Sequence, residues 1–105
     1  MKAELKQPYQ TFFGTLANQN RIDIIEALLL GENNVSQIIQ AVKLNQTTVS
    51  HNLQRLLHCG FISVTKKGKE RYYTVNKTTI KPLFNLMHAH MKNYCCKVIQ
   101  KEMKQ

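Results

Sequence analysis

The segment NQTTVSHNLQRLLHCG, Asn45 to Gly60, concentrates side chains able to do chemistry. On a helix of about 3.6 residues per turn, Thr47, Thr48, His51, Gln54, Arg55 and His58 share one side, opposite Val49, Leu53 and Leu56. These residue types can read base edges. Arginine makes paired hydrogen bonds to guanine, glutamine pairs with adenine, and threonine offers a hydroxyl and a methyl. Gln46 and Ser50 complete the candidate set. A merely solvated face would be equally polar but would have no reason to avoid carboxylates, and no acidic residue occurs between Lys43 and Lys69. Just downstream, Lys66, Lys67, Lys69 and Arg71 put four cations in six positions, weakened only by Glu70. Such a cluster would reach phosphates flanking a groove, adding affinity and salt dependence but little sequence information.

The same segment ends in His58 and Cys59, which raises a second chemistry. Thiolates with one histidine suit a soft or borderline ion such as Cd²⁺, Zn²⁺, Cu⁺ or As(III). The other candidate ligands are Cys95, Cys96, His88 and His90. Spacing restrains the idea. His88 and Cys95 share a helical face but lie about 10 Å apart along it, so a site needs Cys59 or a second subunit. Adjacent Cys95 and Cys96 point about 100° apart. Cys95 also falls on an apolar stripe, where a free cysteine packs as a small hydrophobe, and His88 beside Phe84 and Met91 suits a packed interface. His58 lies on the base-reading side and belongs to the reader or its rim, whereas Cys59 lies off that side. Thiol oxidation of these cysteines is a separate route that would require a lowered pKa.

Hydrophobic spacing supplies the elements that must position these groups. Tyr9, Phe12, Phe13 and Leu16 predict a short helix with Pro8 in its first turn. Ile22, Ile25, Leu28 and Leu29 predict a second, stopped at Gly31, and Val35, Ile38, Ile39 and Val42 a third. The fourth, about residues 46–59, has Asn45 as N-cap and Gly60 as its end. The period then changes. FISVTKKGKERYYTV, within about residues 61–76, is rich in β-branched and aromatic residues on both sides of a Lys67-Gly68 turn, which predicts a basic hairpin. From Ile80 to Val98 one apolar stripe predicts a closing helix, about residues 79–102, with Pro82 in its first turn. The expected fold is mainly α with a small β-hairpin, a single winged helix-turn-helix domain over residues 1–105. A closing helix this long and apolar is expected to lie in a dimer interface, together with the aromatic first helix, rather than pack wholly within one chain.

Charge agrees with that placement. Residues 1–42 carry three basic and four acidic side chains, whereas residues 43–81 carry eight basic and one acidic, a net of +7 in a chain whose total is +9. Three cysteines, two of them adjacent, make a poor disulfide framework, and reduced thiols fit a reducing compartment. No apolar run approaches the ~20 residues of a membrane span, and the first ten residues lack the apolar core of a signal peptide. The expected setting is the cytoplasm, away from membranes.

Together LANQNRIDII, NVSQI, TVSHNLQRLLHCG and RYYTV resemble the ArsR-type (arsenic-repressor) winged-helix regulators over about residues 12–76. The resemblance implies a homodimeric transcriptional repressor bound to a double-stranded, palindromic operator and released by an effector, often a metal ion, metalloid or reactive sulfur species. The motifs that hold effectors in such proteins are incomplete. Where the arsenic and cadmium site has a Cys-Val-Cys motif, this chain has Asn34-Val35-Ser36, with no thiolate donor. The start of the last helix reads NKTTIKP and supplies no ligand, although His90 sits near a later ligand position. The histidine that often follows VSx is Asn52. A reactive-sulfur pair would need a cysteine in the second helix, which has none. Cys59 does occupy a position that some relatives use together with a C-terminal cysteine. No cofactor is required by any of these readings. The alternatives are a DNA-binding regulator without metal sensing, and a winged-helix module for protein or RNA. An enzyme is not expected, since no phosphate-binding glycine loop, acid/base pair or catalytic triad is present.

Overall fold

A computed structural model describes residues 3–95. The elements run α1 (Ala3–Leu16), α2 (Gln19–Leu29), α3 (Val35–Val42), α4 (Gln46–His58), β1 (Ile62–Lys67), β2 (Glu70–Val75) and α5 (Ile80–His90), followed by a π-helical turn over Met91–Cys95. Mainly helical with one hairpin, this is the winged helix-turn-helix order that the residue pattern predicts.

The N-termini of α2, α3 and α4 are each closed by an asparagine. Asn18 accepts from the Arg21 amide, Asn34 from the Gln37 amide and Asn45 from the Thr48 amide. Asn34 and Gln37 form a reciprocal capping box, satisfying two backbone donors that the helix start leaves free. Between α3 and α4 the chain turns through Lys43 in the left-handed region, at φ 58° and ψ 40°. That conformation ends α3 sharply and lets α4 begin three residues later.

The core lies where α2, α3 and α4 converge and is closed by the hairpin and α5. Ile24, Ile25, Ile38, Leu53, Phe61 and Phe84 are all buried. β1 and β2 pair antiparallel from Ile62 opposite Val75 to Lys67 opposite Glu70. The connection is therefore Gly68-Lys69, one residue beyond the expected Lys67-Gly68, with positive φ at Gly68. Glycine at the first loop position with positive φ is the pattern of a type II′ hairpin turn. Asn33, in the α2–α3 loop, exchanges two backbone hydrogen bonds with Tyr73 and ties the wing to the helical core.

Two expectations need correction. α1 begins at Ala3, so Pro8 is an interior residue rather than one in the first turn. Ala3, Glu4, Leu5, Lys6 and Gln7 are strong helix formers, and they extend the helix past the proline. Glu4 and Pro8 are exposed, so water can reach the Glu4 carbonyl that proline leaves without its usual donor. The closing helix is also not one continuous α-helix. After His90 it widens into the π-helical turn, where Asn93 Nδ2 donates to the Ala89 carbonyl at 2.9 Å. A side chain competing for an i−4 acceptor displaces the backbone amide from it. The expected stretch after Cys95 lies outside the described residues.

Candidate nucleic-acid interface

The roll of α4 is set by its apolar side. Val49, Leu53 and Leu56 are buried in the core, which turns the opposite side outward. The structure divides the expected polar face into two ridges. Thr47, His51, Gln54 and His58 form the outer ridge, and all four are exposed. None of their side chains has a hydrogen-bond partner among the described residues. Gln46 is exposed at the start of the helix and Ser50 is half-buried beside the ridge.

Thr48, Asn52, Arg55 and Cys59 form the inner ridge, rotated by about 100°, and it is occupied by the protein itself. Asn52 is only 5% exposed. Its Oδ1 accepts from Arg21 Nε at 3.0 Å and its Nδ2 donates to the Thr48 carbonyl at 2.8 Å. Arg21 Nη1 also reaches the Thr15 carbonyl at 3.4 Å. Thr15 is fully buried, and its hydroxyl meets the Thr11 carbonyl, Arg55 Nε and Cys59 Sγ at 2.8, 3.4 and 3.5 Å. Arg55, grouped by the helical wheel with the outer residues, is therefore turned toward α1 along its Nε edge, while the residue as a whole stays exposed. Sequence reasoning missed Thr15, Arg21 and the structural role of Asn52. Nothing local marks them, because each contact joins residues at least 31 positions apart or depends on one that does.

The wing's cations also differ. Lys67 pairs with Glu32 at 2.5 Å and lies over the Tyr72 ring, 5.3 Å from its centroid. Lys66, Lys69 and Arg71 form no ion pair with described residues and are exposed. Lys66 stands directly across the ladder from Arg71, so two cations flank the tip on neighbouring strands.

The candidate ligands for a soft ion do not converge. Among the described residues there is no group of three or more His, Cys, Asp or Glu side chains arranged to hold a metal. Cys59 is the C-cap of α4 rather than its last helical residue. It lines an open cleft of about 680 Å³ between α1 and the end of α4, together with Glu4, Gln7, Thr11, His58 and Phe61. His88 Nε2 lies 2.6 Å from Glu26 Oε1, which ties α5 to α2. The His90 ring lies 4.9 Å from that of Tyr94. The Cys95 side chain and Cys96 fall outside the described residues.

A short third helix, a tight turn, an outward-facing fourth helix and a basic hairpin define a winged helix-turn-helix domain built to meet nucleic acid. Comparison with known proteins agrees. The family model described as "Bacterial regulatory protein, arsR family" matches residues 18–64. The transcriptional repressor PagR of Bacillus anthracis is 32% identical over 75 residues, covering 70% of this chain and 75% of that protein. An HTH-type transcriptional regulator of Mycobacterium tuberculosis is 36% identical over 74 residues, 70% of this chain, but the chain spans only 33% of that relative's length. Among solved structures, a homodimeric winged helix-turn-helix DNA-binding domain from Mycobacterium bovis superposes with a TM-score of 0.80 at 30% identity, covering 89% of this chain and 86% of that one. The chain belongs to the ArsR family of bacterial regulatory proteins, a family of DNA-binding transcriptional regulators and not of enzymes.

Proposed function

We propose that this chain is a homodimeric, sequence-specific repressor that binds a palindromic operator from the cytoplasm. The observation that carries the reading is the outer ridge of α4, which presents four polar side chains without internal partners beside an acid-poor, cationic wing. In that reading α4 enters the major groove, where Gln46, Thr47, Thr48, Ser50, His51, Gln54 and Arg55 meet bases or nearby phosphates. Lys66, Lys67, Lys69 and Arg71 flank it on the backbone. Dimerisation is supported by apolar side chains on the outer faces of α1 and the α5 end. Phe13 is 59% exposed, Leu86 70% and Tyr94 64%, apolar side chains that a second copy would take out of water. The named repressor relative supports the direction of control.

The effector belongs to the same proposal. A soft metal or metalloid, or an oxidant, would act through Cys59 together with Cys95 and Cys96. A second reading, operator binding without metal sensing, is favoured by the commitment of His88 to Glu26 and by the dispersal of the other described candidates. A third, protein or RNA binding by the same surface, predicts little preference for duplex operator. One experiment separates them. The chain is titrated onto its natural upstream fragment and onto unrelated duplex, with and without Zn²⁺, Cd²⁺, Cu⁺, As(III) or oxidant. The leading reading expects operator preference of about a thousandfold or more, lost on adding an effector. Preference that no addition changes selects the second reading. Absence of preference removes the operator reading altogether.

A further inference from the structure

We propose that Thr15, on α1, is a positioning residue that presets Arg55 to read a single guanine end-on. The inference rests on the reading above, in which α4 enters a major groove. It follows from accounting for one hydroxyl. A threonine hydroxyl has one proton to donate and two lone pairs. The proton of Thr15 goes to the Thr11 carbonyl at 2.8 Å within α1. Toward Arg55 Nε at 3.4 Å and Cys59 Sγ at 3.5 Å the oxygen is therefore an acceptor, and the Cys59 thiol is the donor in that contact. Every capacity of the hydroxyl is used. Thr15 is fully buried and β-branched, with few χ1 choices in a helix. Its oxygen is consequently a fixed post rather than a mobile contact.

The post selects one edge of the guanidinium. Arginine offers its N–H groups as a planar fork, usable either along the edge that includes Nε or at the end formed by Nη1 and Nη2. In Arg55 the Nε–H is directed to Thr15, while neither terminal nitrogen has a partner among the described residues. The free end presents two parallel donors. Guanine presents two major-groove acceptors, N7 and O6, whereas adenine replaces one of them by a donor. A guanidinium fixed along Nε thus favours guanine at one position of each half-site, and the residue that fixes it never touches DNA.

The test measures binding of the full chain to operator duplexes in which each base pair is varied singly, for wild type, Arg55→Ala, Thr15→Val, Thr15→Ser and the double variant Thr15→Val/Arg55→Ala. Arg55→Ala is expected to lower discrimination at one G·C pair by about tenfold. Thr15→Val should lower discrimination several-fold at that same pair and nowhere else, with unrelated duplex bound as before. Thr15→Ser should restore it, and the double variant should match Arg55→Ala, since two residues acting through one contact are not additive. If valine at this buried position lowers the melting temperature, Thr15→Ala supplies the same comparison. The proposal is overturned if Thr15→Val keeps full discrimination while Arg55→Ala loses it. It is also overturned if serine fails to restore it, or if Thr15→Val has the same effect with Arg55 absent. Loss of no base preference in Arg55→Ala would instead remove Arg55 from the operator-reading set, and Thr15's role with it.

Discussion

Along α4, Thr47, His51, Gln54 and His58 lie one ridge away from Thr48, Asn52, Arg55 and Cys59, and the two ridges have the same spacing and similar polarity. Their partners differ. The inner ridge is bonded back to Thr15, Arg21 and its own helix, and Asn52 is buried in the process. The outer ridge is left open on the described surface. A polar side chain whose hydrogen bonds are made by the fold contributes orientation, because breaking those bonds in a buried setting is costly. One whose bonds go only to water can exchange them for a ligand. Arg55 belongs to both sets, held at Nε and open at its terminal nitrogens; otherwise the contrast separates residues that hold the helix from residues free to use it.

The comparison can be broken from below by Leu53→Ala. Leu53 is buried beneath both ridges, so the variant is expected to lose about 2–5 kcal/mol of stability, read in a denaturant titration, with operator binding lost in proportion. A loss well below that range would mean that α4 is not held by its apolar side. The inner ridge alone is addressed by Asn52→Leu, which removes the acceptor for Arg21 Nε. The expected cost is about 1–3 kcal/mol, or a melting temperature several degrees lower. An unchanged melting curve would show the network to be ornamental.

Gln54→Ala addresses the outer ridge. It should leave the melting temperature within experimental scatter and weaken operator binding by about 1–3 kcal/mol if Gln54 makes a base contact. A drop in stability instead would place Gln54 with the inner set. In the wing, Lys69→Ala should reduce the slope of log K against log salt by about 0.9 if that ammonium neutralises one phosphate. The smallest effect is expected from Glu32→Gln. An exposed ion pair contributes about 0–1 kcal/mol, so stability should barely change. Freeing Lys67 should steepen the same salt slope, and an identical slope would mean that Lys67 gains no phosphate when its partner is removed.

The order of elements was legible because it depends on local signals. The Asn45 cap, Gly31, Gly60 and Gly68, and the change from helical to alternating periodicity each act within a few residues. The start of α1 was misread because the proline outweighed five good helix formers before it. The π-helical turn coincides with a side-chain bond from Asn93 to the Ala89 carbonyl, which periodicity does not register. For the candidate site, the wheel correctly separated polar from apolar positions but treated the polar side as uniform. Its division arises from contacts spanning 31 to 44 residues. Lys67 and Glu32 are likewise 35 positions apart. Which cation remains open to solvent is therefore a tertiary property.

The Asn33–Tyr73 bridge has a consequence for solubility. A two-stranded ribbon normally has two open edges, each a template on which another chain can add a strand. Here the outer edge of β2 is already engaged at its midpoint, since the Tyr73 amide donates to the Asn33 carbonyl and the Tyr73 carbonyl accepts from the Asn33 amide. The open edge of β1 ends in Lys66 and Lys67, and like charges meeting edge to edge repel. The loop before α3 and the lysines of the wing thus guard opposite sides of one hairpin against aggregation.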